Sequence, residues 1–593
     1  MPLFHRTINL LQALESSLAR FYCARLTFTT ACVFLGFVCA LFVLASLGFL
    51  AHIPITPLHL PLALIISLIP LFLAKSREIL LGGGAVVLGG FSLSLTLSAL
   101  LYDYSWDGRA YHQIGIYYLS NGWNPVWQKM ADLKELAPYL SHEIWVEHYL
   151  KFSEIVASSI VSAFAPIAPS SLDTIELGKA LNFIAAFGAF LYSVSVLAKF
   201  IAPLPATIIS LFASFSPIVG VQIATYYVDG LLSCALLMAF CAIIDREFYR
   251  RQLATAKVDS TPSEINSLKR AMFARSSILA GALLAMASIK LTGIAYAGFI
   301  GLGYLVYLLW FYPLKESKSL IALGLITSSL IIACNANPLL TNLASGKHFG
   351  YPLLGKDKID IIIGQQPKMF DELNSGTKLL YSLFSRTQNC TAQCTPQLKA
   401  PFSHLHDEAP NVDTRIAGFG AYFSGALLLS ALMVVLLRQG FRRKEILGLL
   451  VLLAGSFLIN PESWWARYVP QMYFLPLLVL GVSYYLCKSP LGSLLRIALL
   501  ATITINFATY AKQFYKQGSH YKQATLARLD SAKTYAQEQT LYIYSNGWEH
   551  SFLHKLESAK IPFTRLDSKE NPPAPLFVVP YSLGEVYWSI ESL

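Results

Sequence analysis

Charge is what this chain has little of. Only 13% of its 593 residues are Asp, Glu, Lys or Arg, while 55% are hydrophobic, whereas a soluble domain carries about 25% charged residues. Its mean hydropathy is +0.52. That balance excludes a water-soluble globule and makes lipid the solvent. Uncharged apolar runs recur that are long enough, as helices, to cross about 30 Å of hydrocarbon. They are too long for the strands of a barrel, the other structure able to span a bilayer. The expected fold is an all-α polytopic membrane protein.

Other absences narrow the reading. No cleavable signal-peptide pattern opens the chain; residues 1–26, with Arg6, Arg20 and Arg25, read as a cytoplasmic amphipathic N-terminus. There is no internal repeat and no low-complexity tract. Gly82-Gly83-Gly84 lies inside an apolar run and reads as helix packing or a kink, not a phosphate loop. The segment Ser141–Lys151 carries His142, Glu143, Glu147 and His148 but departs from H-E-x-x-H, so solvated helix surface is the better reading than a metal site. No cofactor is called for, and a divalent metal is left open. Of the 9 cysteines, Cys32, Cys39, Cys234, Cys241, Cys334 and Cys487 sit in or near apolar runs as small fillers. Cys390 and Cys394 lie four apart in a polar loop and are disulfide candidates, with free thiols or a metal site (His404 and His406 as distant ligands) as the alternatives. The overlapping Asn389-Cys390-Thr391 is formally a glycosylation sequon.

What is present is a basic punctuation. The net charge is +11, in short clusters at Lys75/Arg77, Lys199, Arg246–Arg275, Lys315/Lys318, Arg438–Lys444 and Lys488. Such clusters suit anionic lipid headgroups, not nucleic acid, and mark cytoplasmic loops. Between successive clusters lies enough apolar sequence for two crossings, so the chain reads as six hairpins and a last span near 491–509, about 13 crossings. The N-terminus is then cytoplasmic and the C-terminus extracytoplasmic, in a bacterial inner membrane. The runs 277–312 and 445–487 must each divide into two helices, the first around Lys290. Residues 27–78 form an extra hairpin and 79–509 the core. Outer loops run from 102 to 171 and from 335 to 415. The tail, 510–593, reads as a small α/β domain in the order strand, helix, strand, strand.

This parity places the distinctive polar motifs on one face. Tyr102–Trp127 is acidic and aromatic-rich and holds Asp103, Asp107, Arg109 and His112. Asp107 is the first candidate for a general base, since a carboxylate within hydrogen-bond reach can deprotonate an acceptor hydroxyl; a helix cap is its structural alternative. Asp103 is the reserve carboxylate. Arg109 suits a phosphate or lipid headgroups, and His112 a substrate contact or a hydrogen-bonded surface position. Asp229, in TYYVDG, and Lys290, in SIKLTG, stand at the outer ends of apolar runs, where an ionisable group is a functional candidate. Arg467 and Tyr468 follow two tryptophans in NPESWWARY; the guanidinium fork matches phosphate, and the tryptophans suit an interfacial belt.

Together these residues resemble the GT-C superfamily of integral membrane glycosyltransferases, closest to the branch of protein O-mannosyltransferases and lipid A aminoarabinose transferases. Asp107-Gly108-Arg109-Ala110-Tyr111 looks like that branch's D-E-x-x-Y motif. Asp229 matches an Asp at a later outer helix end. Lys290-Leu291-Thr292-Gly293 is similar to its K-x-x-G turn, and Arg467-Tyr468-Val469-Pro470 with Pro476 to its R-Y-x-x-P segment. The likeness runs in order over roughly 79–490. Two spans precede it, Gly108 stands where an acid is usual, and the loop 335–415 carries no assignable motif. The resemblance implies a sugar transferase whose donor is linked to polyprenyl phosphate and whose acceptor is a lipid, glycan or protein. Asp107 would be the base, and Arg467 with Lys290 or Arg109 would hold the phosphate. A polysaccharide polymerase or ligase on lipid-linked glycans is the neighbouring alternative. A flippase or transporter is the non-enzymatic one, disfavoured because the charged motifs share one face and no inverted repeat is visible.

Overall fold

The computed structural model describes residues 20–133, 143–167, 171–256, 261–314, 317–362, 364–404, 407–408, 410–538, 540–545, 550–566, 576–581 and 584–591. Most of residues 1–26, His142, read as helix surface, and His406, a distant candidate ligand, lie outside the described residues.

The fold is helical apart from a short C-terminal sheet. Six described helices are long and apolar enough to cross a membrane: Ala24–Leu50, Arg77–Leu100, Thr174–Leu197, Pro262–Ile289, Leu291–Phe311 and Pro490–Gln537. A seventh is Lys318–Cys334 with Ala336–Ala344, if that pair, bent by 75°, is one span. Shorter apolar helices of 10–17 residues, such as His59–Leu73 and Pro203–Ser214, pack among them. The peripheral helices turn bare aliphatic and aromatic side chains outward, among them Leu62, Ile65, Phe72, Leu302, Trp310 and Leu325. Such a surface belongs in lipid, not water.

Local signals set the helix ends. Ser76 accepts from the Ile79 N–H at 3.3 Å and starts Arg77–Leu100. A reciprocal cap between Thr261 and Glu264, with Pro262 in the first turn, starts Pro262–Ile289. That helix ends at Lys290, whose backbone is extended (φ −155°, ψ 151°), and Leu291–Phe311 follows at once. The run 277–312 thus divides at Lys290. The run 445–487 divides into Lys444–Leu458 and Phe474–Leu486, with 3₁₀ turns between.

The helix Asp229–Ala256 is the axis of the bundle. It packs against Pro262–Ile289 and Ala180–Leu197, and its stretch from Leu231 to Ile243 is buried throughout. At its far end the basic clusters meet. Lys199 and Arg275 both pair with Asp245, the latter at 3.0 Å; Arg250 pairs with Glu247 at 2.8 Å and Arg251 with Glu445 at 2.6 Å. Phe28 lies under Arg275, and Arg25, one turn earlier, donates to the Ala74 carbonyl at 2.7 Å. Asp229 stands at the other end, 16 residues and so about 24 Å away. Polar ends at that separation fit a helix crossing a bilayer.

The last helix, Pro490–Glu538, runs unbroken for 49 residues, about 73 Å. The expected domain boundary at 510 therefore falls inside one helix. After it come β1 (Thr540–Ser545), a helix at His550–Ser558, β2 (Thr564–Arg565), β3 (Leu576–Tyr581) and β4 (Gly584–Glu591). The sheet order is β2-β1-β4-β3, with β1 and β2 parallel and the other pairs antiparallel. The sequence reading missed β4, although its V-Y-W-S-I run has strand composition.

Candidate functional site

The segment after Arg77–Leu100 is extended through Ser105 and then forms a π-helical turn, Gly108–His112. Such turns are rare and recur at functional sites. Asp107 precedes it with helical dihedrals and makes no capping hydrogen bond. The cap reading of Asp107 fails: its carboxylate accepts instead from Arg467 Nη1 at 3.2 Å.

Arg467 arrives on a 3₁₀ turn, Ala466–Tyr468. Tyr296 steadies it, accepting from Asn460 Nδ2 at 2.7 Å and donating to the Tyr468 carbonyl at 2.6 Å. The guanidinium lies among three carboxylates. Nη1 is 3.2 Å from Asp107 and 3.7 Å from Asp229, and Nε is 3.0 Å from Asp413. The Asp413 contact is close enough for an ion pair but is not aligned as a hydrogen bond. Lys290 donates to Asp229 at 2.7 Å and sits 4.1 Å from the Tyr468 ring centroid. Its turn closes through the Gly293 N–H, which donates to the Lys290 carbonyl at 2.8 Å. A Cβ on Gly293 would lie 2.0 Å from the Met286 carbonyl oxygen, so only glycine fits there. Asp107, Asp229, Lys290, Arg467 and Tyr468 thus converge from distant parts of the chain.

They line one cavity of about 880 Å³, in the range of sites for small organic ligands. Aromatic rings form much of its wall, including Trp106, Tyr111, Trp145, Tyr149 and Tyr227. The carboxylates are not equivalent. The Asp229 side chain is 1% exposed, whereas those of Asp107 and Asp413 are 22% and 20% exposed, so Asp107 and Asp413 are the two open to a ligand.

The other expected residues stand differently. Asp103 is fully buried and off the cavity wall. It accepts from the Ser105 N–H at 2.8 Å, Ser105 Oγ at 2.6 Å, and Gln113 and the Tyr226 N–H at 3.2 Å each. Burial pushes its carboxyl up, a shift reinforced by Glu176. Its place explains Gly108: a Cβ there would lie 2.0 Å from Asp103 Oδ2 and 2.4 Å from Ser105 Oγ. Arg109 is also buried away from the wall; it donates to the Ser105 carbonyl at 3.0 Å and to Tyr521 Oη at 2.9 Å. His112 does line the cavity and is paired through Nδ1 with Glu154 at 2.6 Å.

Three parts of the wall escaped sequence reasoning. Asp413 and Arg415, paired at 3.0 Å, come from the end of the long loop 335–415 and make up the first. Arg415 also donates to Asn389 Oδ1 at 2.5 Å and to Gln365, so the sequon asparagine, the second, faces a guanidinium. The loop rests on a small apolar cluster of Phe370, Cys390, Ile416, Trp464 and Trp465. Both tryptophans are thus buried under the loop and not spread as an interfacial belt. Cys390 and Cys394 form a disulfide with Cα atoms 5.5 Å apart. The third part is the last helix, which supplies Gln517, His520 and Tyr521. The only signal for Asp413 and Arg415 was their position just before an apolar run on the motif-bearing face.

The tail also grips the segment that precedes Asp107. Lys555 pairs at 3.0 Å with buried Glu176, which accepts from the Asp103 N–H at 3.0 Å and from Lys179. The His554 ring stacks on Tyr117 at 4.1 Å. In the helix Glu143–His148 no side chain is fully solvated, against the surface expectation. His148 bonds Asn342 at 2.6 Å, and burial pushes it down to about 4. Among the described residues no three His, Cys, Asp or Glu side chains are grouped to hold a metal ion; between Asp107, Asp229 and Asp413 the position is taken by Arg467. A search of protein-family models and of curated proteins finds no family and no protein that this chain matches.

Proposed function

We propose that the protein is a membrane glycosyltransferase moving a sugar from a polyprenyl-phosphate-linked donor to a lipid, glycan or protein acceptor on the extracytoplasmic face. One observation carries the reading: a carboxylate open to a large aromatic cavity, Asp107, beside two cations, Lys290 and Arg467, at one end of the central helix. The opposite end gathers the basic clusters, which supports a cytoplasmic assignment for that end. The finer topology belongs to the same proposal: about 13 crossings, an inner-membrane location, a cytoplasmic N-terminus and an extracytoplasmic C-terminal α/β unit.

In this reaction Asp107 takes the proton of the acceptor hydroxyl as its oxygen attacks the anomeric carbon. The bond from that carbon to the phosphate oxygen breaks, and the phosphate leaves with the electron pair. Lys290 and Arg467 stabilise the charge that develops on it. The attack comes from the face opposite the leaving group, so the anomeric configuration inverts. The donor chain lies between helices while its head enters the cavity.

The test is Asp107→Asn in proteoliposomes supplied with labelled polyprenyl-phosphate sugar. Loss of a general base predicts a fall of about 10²–10⁴-fold in transfer. Undiminished transfer by a folded variant would sink the assignment. Labelling single cysteines near Asn121 and near Pro262 tests the sidedness; both reacting from one side breaks it.

A further inference from the structure

Two guanidinium groups lie beside one indole. Arg415 is 5.1 Å and Arg467 4.6 Å from the Trp465 ring centroid. Asp413 bridges the same pair, with Oδ2 3.0 Å from Arg415 Nη2 and Oδ1 3.0 Å from Arg467 Nε. All four residues line the cavity.

Three donors of these wall residues are unmatched. Arg415 Nε, Trp465 Nε1 and Arg467 Nε are buried N–H groups without a hydrogen-bond acceptor. Trp465 and Arg415 are more than nine-tenths buried. Buried donors are ordinarily satisfied, and these residue types donate without accepting. Three such groups on one wall suit a compact group rich in acceptor oxygens. Asp413 is too small to meet them all, and its Oδ1 is itself without an aligned donor.

We infer that this place, between Arg415 and Arg467 beside the Trp465 N–H, seats a second phosphoryl group, so that the cavity takes a diphosphate, and that Asp413 is the internal carboxylate which that group displaces. The inference rests on the proposed role of Lys290 and Arg467 as partners of the first phosphate; Arg467 is shared between the two seats. Planar guanidinium forks match phosphoryl oxygens. Burial pushes the Asp413 carboxyl up, against the pull of Arg467 and Arg415, which makes it a weaker claimant than a phosphate. The long loop 335–415 then has a purpose, since it brings the residues that separate a diphosphate-linked donor from a monophosphate-linked one.

The experiment uses the full chain in detergent micelles, titrated calorimetrically with inorganic diphosphate, orthophosphate and glucuronate. Diphosphate is expected to bind at least about tenfold tighter than orthophosphate. Trp465→Phe keeps an aromatic ring and removes the N–H, and should weaken diphosphate about tenfold while leaving orthophosphate nearly unchanged. Arg415→Gln should act in the same direction, and Asp413→Asn should tighten diphosphate. Thermal unfolding of each variant checks its fold. Equal affinity for the two phosphates, wild-type diphosphate binding by both Trp465→Phe and Arg415→Gln, or tighter binding of glucuronate than of diphosphate overturns the seat. Sugar transfer is read separately. Absent transfer from both a monophosphate-linked and a diphosphate-linked donor, with this binding pattern intact, counts against the enzymatic reading and supports the seat, whereas transfer from a monophosphate-linked donor with no diphosphate preference counts against the seat alone.

Discussion

Arg467 Nη1 lies 3.2 Å from Asp107 and 3.7 Å from Asp229, so one guanidinium edge joins an open carboxylate of the cavity to its buried one. A lysine is a point charge and cannot span both while also reaching Asp413. Arg467→Met strands Asp107 and leaves Asp229 to Lys290 and Asp413 to Arg415 alone; it should cost about 3 kcal/mol of stability, with Arg467→Lys between it and wild type. Adding Asp413→Asn to Arg467→Met should return part of that loss, because the two act on one network. Unfolding in detergent reads all these proteins and Asp413→Asn alone; strict additivity would show that the network is not shared.

The contact between Gly108 and Asp103 makes a paired prediction. Gly108→Ala places a methyl 2.0 Å from Asp103 Oδ2, and overpacking of this kind costs about 2 kcal/mol. Asp103→Ala in the same chain opens the space, so the double variant should lose less than the sum of the two single changes. A Gly108→Ala protein as stable as wild type would contradict the fit.

Gly293 tests the turn that presents Lys290. Its Cβ would meet a backbone oxygen, that of Met286, which cannot rotate away. Gly293→Ala should cost about 3 kcal/mol. If folded protein is recovered, the proposed sugar transfer should fall with it, because Lys290 would be displaced from Asp229. Normal yield, stability and transfer would show that the turn tolerates a side chain.

Asp413 gives a pH dependence. Its carboxyl is raised by burial; Arg467 and Arg415 lower it, and Asp107 and Asp229 raise it further. A raised folded value means the native state keeps a proton that the unfolded chain has released. The stability contributed is full below the unfolded value of about 3.9 and is lost as pH rises through the folded one. The unfolding midpoint of wild type minus that of Asp413→Asn should therefore fall as pH is raised from about 4. A difference that grows with pH would reverse the sign of the shift.

Much of the site was legible because its residues break apolar runs. Asp229 and Lys290 are conspicuous against their neighbours, and basic punctuation was enough to predict that they share a face with Asp107 and Arg467. What sequence could not show was orientation within a polar stretch. Asp103 and Arg109 differ from Asp107 by only a few positions, yet one closes on Ser105 and the other on Tyr521, 412 residues away. Asp413 and Arg415 were hidden for the opposite reason: in a loop already full of polar residues, two more do not stand out. The tryptophans misled because an indole at an interface and an indole under a folded loop have the same local sequence.

The 49-residue helix has a mechanical consequence. A continuous helix transmits displacement along its length, and this one is anchored in the bundle at its start, forms cavity wall at Gln517 to Tyr521, and ends beside the sheet. The C-terminal sheet is therefore a handle on the cavity. Whatever grasps the sheet tilts a rod whose middle is the wall, and a change in the cavity is felt about 25 Å further along, where the helix ends and β1 begins.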